Sequence, residues 1–264
     1  MPIDNSIAHL NSDRFRVNIV ADLTQICRTA ADEILRLVDR AGSNAKPFTV
    51  ALSGGTTPRR LHALMAGDPV VRTRLPWDDM HFFWGDERHV PPDHPQSNYR
   101  MAWETLLSVA PIPAKNIHRV PSEEPDAAKA AEKYEQELKA FFELEGGQMP
   151  RFKCILLGMG NDGHTASLFP ETGVLSETKH MVAAHWVEKL KAHRITMTVP
   201  VLNRADLIVF LVSGAEKAKA LKAVLQGDYR PEQFPAQLIR PDQGELLWIV
   251  DQAAASCLTV SFKI

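Results

Sequence analysis

The chain has 264 residues, of which 45% are hydrophobic and 23% charged, and its formal net charge is -2. These values describe a globular protein long enough to bury a substantial core. They exclude a basic nucleic-acid binder and an acidic solvating chain, so an anionic ligand would have to be attracted by a local site. No apolar run reaches the roughly 18 residues of a membrane helix. The N-terminal segment MPIDNSIAHLNSDRF is polar and has no hydrophobic signal core. Cys27, Cys154 and Cys257 are far apart and odd in number, which argues against a disulfide framework or a zinc knuckle. A cytoplasmic protein with reduced thiols is expected, with no membrane or nucleic-acid partner.

In chain order, the first helix signal is Asp22 with Gln25, a capping-box spacing. Leu23, Ile26, Ala30, Ile34 and Leu37 then recur every three or four residues, and Gly42 offers a stop. The apolar run 48-FTVAL-52 predicts a strand, passing through 53-SGGTTP-58 into a helix over 59–65. A second strand, 80-MHFFW-84, meets the loop 85-GDERHVPPDHPQSNYR-100, with a helix resuming near Met101. Residues 126–147 predict a surface helix ended by Gly146. The strand 152-FKCILL-157 leads into 157-LGMGNDGHTASLFP-170, after which a helix is expected. The runs 195-ITMTV-199, 207-LIVFLV-212 and 246-LLWIV-250 predict three more strands, the second followed by 213-SGAEKAKALKAVL-225.

Near-continuous apolar strands that alternate with helices imply an α/β fold, Rossmann-like, with a mainly parallel sheet and helices on both faces. Nothing in the composition cuts the chain, so residues 1–264 are expected to form one domain. Ligands of such sheets bind at the carboxyl ends of the strands. Every chemically interesting segment lies at one of four such junctions, after Leu52, Trp84, Leu157 and Val212.

In the first, Ser53, Gly54, Gly55, Thr56 and Thr57 offer backbone N–H groups and hydroxyls at a helix N-terminus, an anion site or simply a strand–helix turn. Thr57 is the expected N-cap, with Pro58 at the first helical position. No Gly-Lys-Ser/Thr follows, so this is no Walker A loop. In 85-GDER-88, Asp86 and Glu87 could serve as bases, hold Arg88 rigid or bind metal. His81, His89 and His94 lie nearby but show no metal-ligand spacing, and no metal is expected. In the third junction Asp162 could cap the following helix or orient His164. His164 would project from the helix's first turn, where the macrodipole favours the neutral imidazole that a general base needs. Lys217, in the first turn after Gly214, is either solvated or shares the site with an anion, and Arg194 is equally open.

Taken together, 53-SGGTTP-58, 85-GDERHVPPDHPQSNYR-100, 157-LGMGNDGHTASLFP-170, Arg194 with 195-ITMT-198, 213-SGAEKAKAL-221 and 246-LLWIVDQAAA-255 resemble the glucosamine-6-phosphate isomerase/6-phosphogluconolactonase family, on its lactonase side. The family shares a superfamily with glucosamine-6-phosphate deaminases and ribose-5-phosphate isomerases. The deaminase branch usually reads Asp-Glu-Tyr where this chain has Asp86-Glu87-Arg88. It has an Ala-Phe-Asn-Glu-like run in place of Ala166-Ser167-Leu168-Phe169. Thr56 stands where the family commonly has serine. The resemblance implies hydrolysis of a 6-phosphogluconolactone without a cofactor, by a monomer or, as the alternative, a homodimer. It places the sugar phosphate against residues 54–57, Arg194 and Lys217. His164 would be the base, Asp162 its or the water's positioner, and Arg88, steadied by Asp86, a candidate for the developing oxyanion. The glycine-loop N–H groups are rival oxyanion donors.

Overall fold

The structure, a computed structural model, describes residues 8–11, 15–42 and 47–259. Its strands are β1 (Ala8–Asn11), β2 (Arg16–Val20), β3 (Phe48–Leu52), β4 (Met80–Trp84), β5 (Asp86–Arg88), β6 (Phe152–Gly158), β7 (Val182–Val187), β8 (Ala192–Met197), β9 (Ala205–Val212) and β10 (Glu245–Asp251). Its α-helices are α1 (Leu23–Ala41), α2 (Thr56–Gly67), α3 (Pro69–Arg74), α4 (Asn98–Ala102), α5 (Ala127–Phe141), α6 (Val199–Leu202), α7 (Ala218–Gln226) and α8 (Gln252–Ala255).

Seven strands form one sheet in the order β1-β2-β10-β9-β6-β3-β4. All of its pairings are parallel except that of β1 with β2. All five residues of β3 are buried, as are all of β9 except Asp206 and all of β10 except Glu245. Burial on both faces is what continuous apolar runs demand. Phe210 of β9 and Trp248 of β10 stack across the ladder with ring centroids 3.7 Å apart. No helix among the described residues is long and apolar enough to cross a membrane.

Three expectations need correction. The run at 195–199 is not part of the parallel sheet: it overlaps β8, which pairs antiparallel with β5 and β7 in a separate three-stranded sheet. β5 lies inside the segment expected as loop, and the helix after it begins at Asn98, where Ser97 accepts the Arg100 N–H. The surface helix stops at Phe141 rather than running to Gly146. There Phe142 packs on Phe152 at 5.0 Å, and Glu143 takes a left-handed φ of 51°. The Asp22 cap holds, its carboxylate accepting the Gln25 N–H at 2.9 Å.

His62 of α2 is fully buried, and neither ring nitrogen finds a partner among the described residues. Burial pushes its pKa down from 6.5 to about 4. Between those values the unfolded chain binds the proton and the folded one does not, so this histidine lowers stability as pH falls through that window. The loss is about 3 kcal/mol by pH 4. His62→Leu is therefore expected to reduce, by roughly that amount, the drop in unfolding free energy between pH 7 and pH 4. Urea denaturation at both pH values measures it, and an equal drop in both proteins would contradict the assignment.

Candidate active site

The carboxyl ends of β3, β6 and β9 and the strand β5 surround a cleft of about 530 Å³. Ser53, Gly54, Gly55, Thr56, Thr57, Asp86, Arg88, His164 and Lys217 all line it. The four junctions singled out in the sequence therefore meet at one place, as the strand-end rule for parallel sheets requires.

The first junction differs from expectation in its cap. α2 starts at Thr56, so Gly55, at φ 107°, is the N-cap and not Thr57. No side chain caps this helix. Its first-turn N–H groups are thus left for a ligand, at the positive end of a helix twelve residues long. The Ser53 hydroxyl beside them is buried, with no partner among the described residues. Gly54 has a separate steric reason to be glycine: a Cβ there would lie 1.9 Å from the Asn98 Oδ1.

Asn98 belongs to the second wall, and Glu87 sets its position. The Glu87 carboxylate is nearly enclosed and accepts the N–H groups of Arg88, Asn98 and Tyr99 and the Ser97 hydroxyl. Burial raises its pKa, while these bonds pull it back. Strand alternation puts Asp86 and Arg88 on the opposite side, toward the cleft. The expected support of Arg88 by Asp86 is not formed. The Arg88 Nη1 donates to the Gln96 carbonyl at 2.6 Å, and the Asp86 carboxylate accepts the Ser167 hydroxyl at 2.7 Å. Arg194 does not line the cleft. It faces Arg88 across the β5–β8 ladder, and burial, with Arg88 adding to it, lowers its pKa.

The third junction departs most from expectation. No helix directly follows 157-LGMGNDG-163, the next helical turn being the 3-10 turn Gly173–Ser176. Ala166 adopts a left-handed φ of 47°, and Thr165 and Leu168 form an isolated bridge. Helix-dipole suppression of the His164 cation is therefore not available. In its place Asp162 Oδ1 lies 2.5 Å from His164 Nδ1 and also accepts the His164 N–H at 3.2 Å. Asp162 thus orients the ring rather than capping a helix. A Cβ on Gly160 would lie 2.1 Å from that Nδ1, so glycine there makes room for the pair. The ring stacks on Phe169 at 4.3 Å, and Nε2 has no hydrogen-bond partner among the described residues. Burial alone would raise the Asp162 pKa, but hydrogen bonds from His164 and Lys189 hold it far below the usual carboxylate range. Asp162 stands behind His164 rather than in the cleft wall.

Lys217 lies just before α7, at the end of a 3-10 turn over Ala215–Lys217. It forms no ion pair with any described residue. The turn before it is fixed by Asp251, which ends β10. The Asp251 carboxylate accepts the Ser213 hydroxyl at 2.5 Å, the Gly214 N–H and the Ala254 N–H at 2.7 Å. Glu216 also lines the cleft, an acid close to the lysine. The sequence singled out none of Asn98, Ser167, Lys189, Glu216 or Asp251. Only Asp251 had a usable signal, its place directly after an apolar strand.

The family model for glucosamine-6-phosphate isomerases/6-phosphogluconolactonase matches residues 21–248. The chain belongs to that family, on its 6-phosphogluconolactonase side. It is 43% identical to the 6-phosphogluconolactonase of Nostoc sp., over 92% of this chain and 98% of the relative. It is 46% identical to that of Synechocystis sp., over 80% and 84%. The solved 6-phosphogluconolactonase of Trypanosoma cruzi superposes with a TM-score of 0.82 at 26% identity, covering 96% of this chain and 99% of that one.

Gly54→Ala is expected to overpack the Asn98 contact and lower stability by about 1–3 kcal/mol, read as a lower denaturation midpoint. Asn98→Gly in the same chain should recover part of the loss. Simple additivity of the two changes would show that they do not share the contact.

Proposed function

We propose that the chain hydrolyses 6-phospho-D-glucono-1,5-lactone to 6-phospho-D-gluconate, the second step of the oxidative pentose phosphate pathway, as a cytoplasmic enzyme. The observation that carries this reading is His164, oriented from behind by Asp162, opening onto the same cleft as an uncapped helix N-terminus and a lysine with no ion-pair partner among the described residues. The first supplies a base and the other two a phosphate anchor. The relatives' names support the same reaction.

In this mechanism the phosphate sits on the first-turn N–H groups of α2, the hydroxyls of Ser53, Thr56 and Thr57, and Lys217. Arg194, beside Arg88, adds positive charge from outside the cleft wall. A remote anchor fixes the ring for attack at the carbonyl. Asp162 holds Nδ1 of His164 as a donor, which leaves Nε2 as the acceptor. Nε2 takes a proton from water as the water oxygen bonds to C1. Arg88, held by the Gln96 carbonyl, stabilises the oxyanion. The C1–ring oxygen bond then breaks, and the His164 proton passes to the departing ring oxygen. No serine lies in a Gly-x-Ser-x-Gly elbow, so water attacks directly and no acyl-enzyme forms.

Purified protein is expected to accelerate acid release from freshly prepared lactone, and to release no ammonia from glucosamine 6-phosphate. The reverse pattern would assign it to the deaminase branch. His164→Ala should lose about a hundredfold to ten-thousandfold in kcat while still binding 6-phosphogluconate. Undiminished hydrolysis would remove His164 as the base. Lys217→Ala should weaken binding of 6-phosphogluconate about tenfold or more in titration calorimetry, and an unchanged affinity would take Lys217 out of the anchor.

A further inference from the structure

Lys189 has no place in the mechanism above, yet it touches the catalytic pair from behind. It lies in a 3-10 turn, Glu188–Leu190, that continues β7. Its Nζ bonds Asp162 Oδ2, the carboxylate oxygen that His164 leaves unused. The same Nζ rests 5.0 Å from the centre of the Phe169 ring, on which His164 stacks. Lys189 is half-exposed, whereas Asp162 is three-quarters covered. An exposed ion pair adds little stability, but its charge acts directly on the carboxylate that governs the histidine.

We propose that Lys189 is a positioning residue for lactone hydrolysis, which pins Asp162 by its outer oxygen and restrains the basicity that Asp162 confers on His164. The proposal rests on His164 being the general base. An unbalanced carboxylate against Nδ1 would favour the imidazolium and reduce the neutral base present near neutral pH. A cation on the far oxygen offsets that pull, while the Nδ1 bond continues to orient the ring. Other charges surround the pair. Asp86, Arg88, Glu216 and Lys217 share the cleft wall with His164. On the far side Glu171, Glu177, His185 and Glu188 line the hollow that Asp162 and Lys189 also line. All of these stay in place when Lys189 alone is changed.

The test compares wild type, Lys189→Met and Lys189→Arg by two readouts: NMR titration of the His164 imidazole, assigned with His164→Gln, and the pH profile of kcat/KM. In Lys189→Met the imidazole should titrate at higher pH. Its kcat/KM at pH 6 should fall about threefold to tenfold against wild type, while at pH 9 it stays within about twofold. Lys189→Arg should restore both. An imidazole titration unmoved in Lys189→Met, even with activity lowered evenly at every pH, would reduce Lys189 to a structural brace and overturn the proposal. A moved imidazole titration with an unmoved kcat/KM profile would instead show that His164 is not the base, and the role in catalysis would fall with it.

Discussion

The site depends on one constraint: four adjacent parallel strands, β9, β6, β3 and β4, are buried on both faces and end at the same edge of the sheet. The inner strands' backbone groups are consumed in the ladders, so polar chemistry gathers where the strands stop. The stops are occupied by glycine turns and by β5, and two of them are braced by buried acids. Glu87 gathers the N–H groups of the β5–α4 segment, and Asp251 gathers those of the turn before Lys217. These two acids organise the walls of the cleft.

The chemistry of a lactone suits such a cleft. The ester is strained and already electrophilic, so the protein need only anchor the phosphate, deliver a base and stabilise one developing charge. No helix directly follows Gly163, so the His164 ring is oriented by the Asp162 carboxylate at 2.5 Å, whose other oxygen Lys189 bonds.

Much of the fold was legible because the central strands are uninterrupted apolar runs, which leave little choice but a buried parallel sheet. β2 escaped notice because Arg16 and Asn18 break its pattern, and β5 because three consecutive charged residues do not read as a strand. The glycine turn at 53–58 and the Asp162–His164 pair were legible because their members are near neighbours in sequence. Asp86 with Ser167, Ser213 with Asp251 and Asp162 with Lys189 lie 81, 38 and 27 residues apart. Local spacing carries no trace of such pairs, since they exist only after the sheet has brought strand ends together. The helix expected after Gly163 failed for a local reason of another kind: Ala166 takes a left-handed backbone that no pattern of apolar residues announces.

The central claim is directional: phosphate at the N-terminus of α2, reacting carbon at His164. A crystal structure of the protein with 6-phosphogluconate tests it most directly. The account predicts the phosphate within hydrogen-bonding distance of the first-turn N–H groups of α2 and of Lys217, and the C1 carboxylate within reach of His164 Nε2 and Arg88. A phosphate seated on His164, with C1 at the helix end, would contradict it.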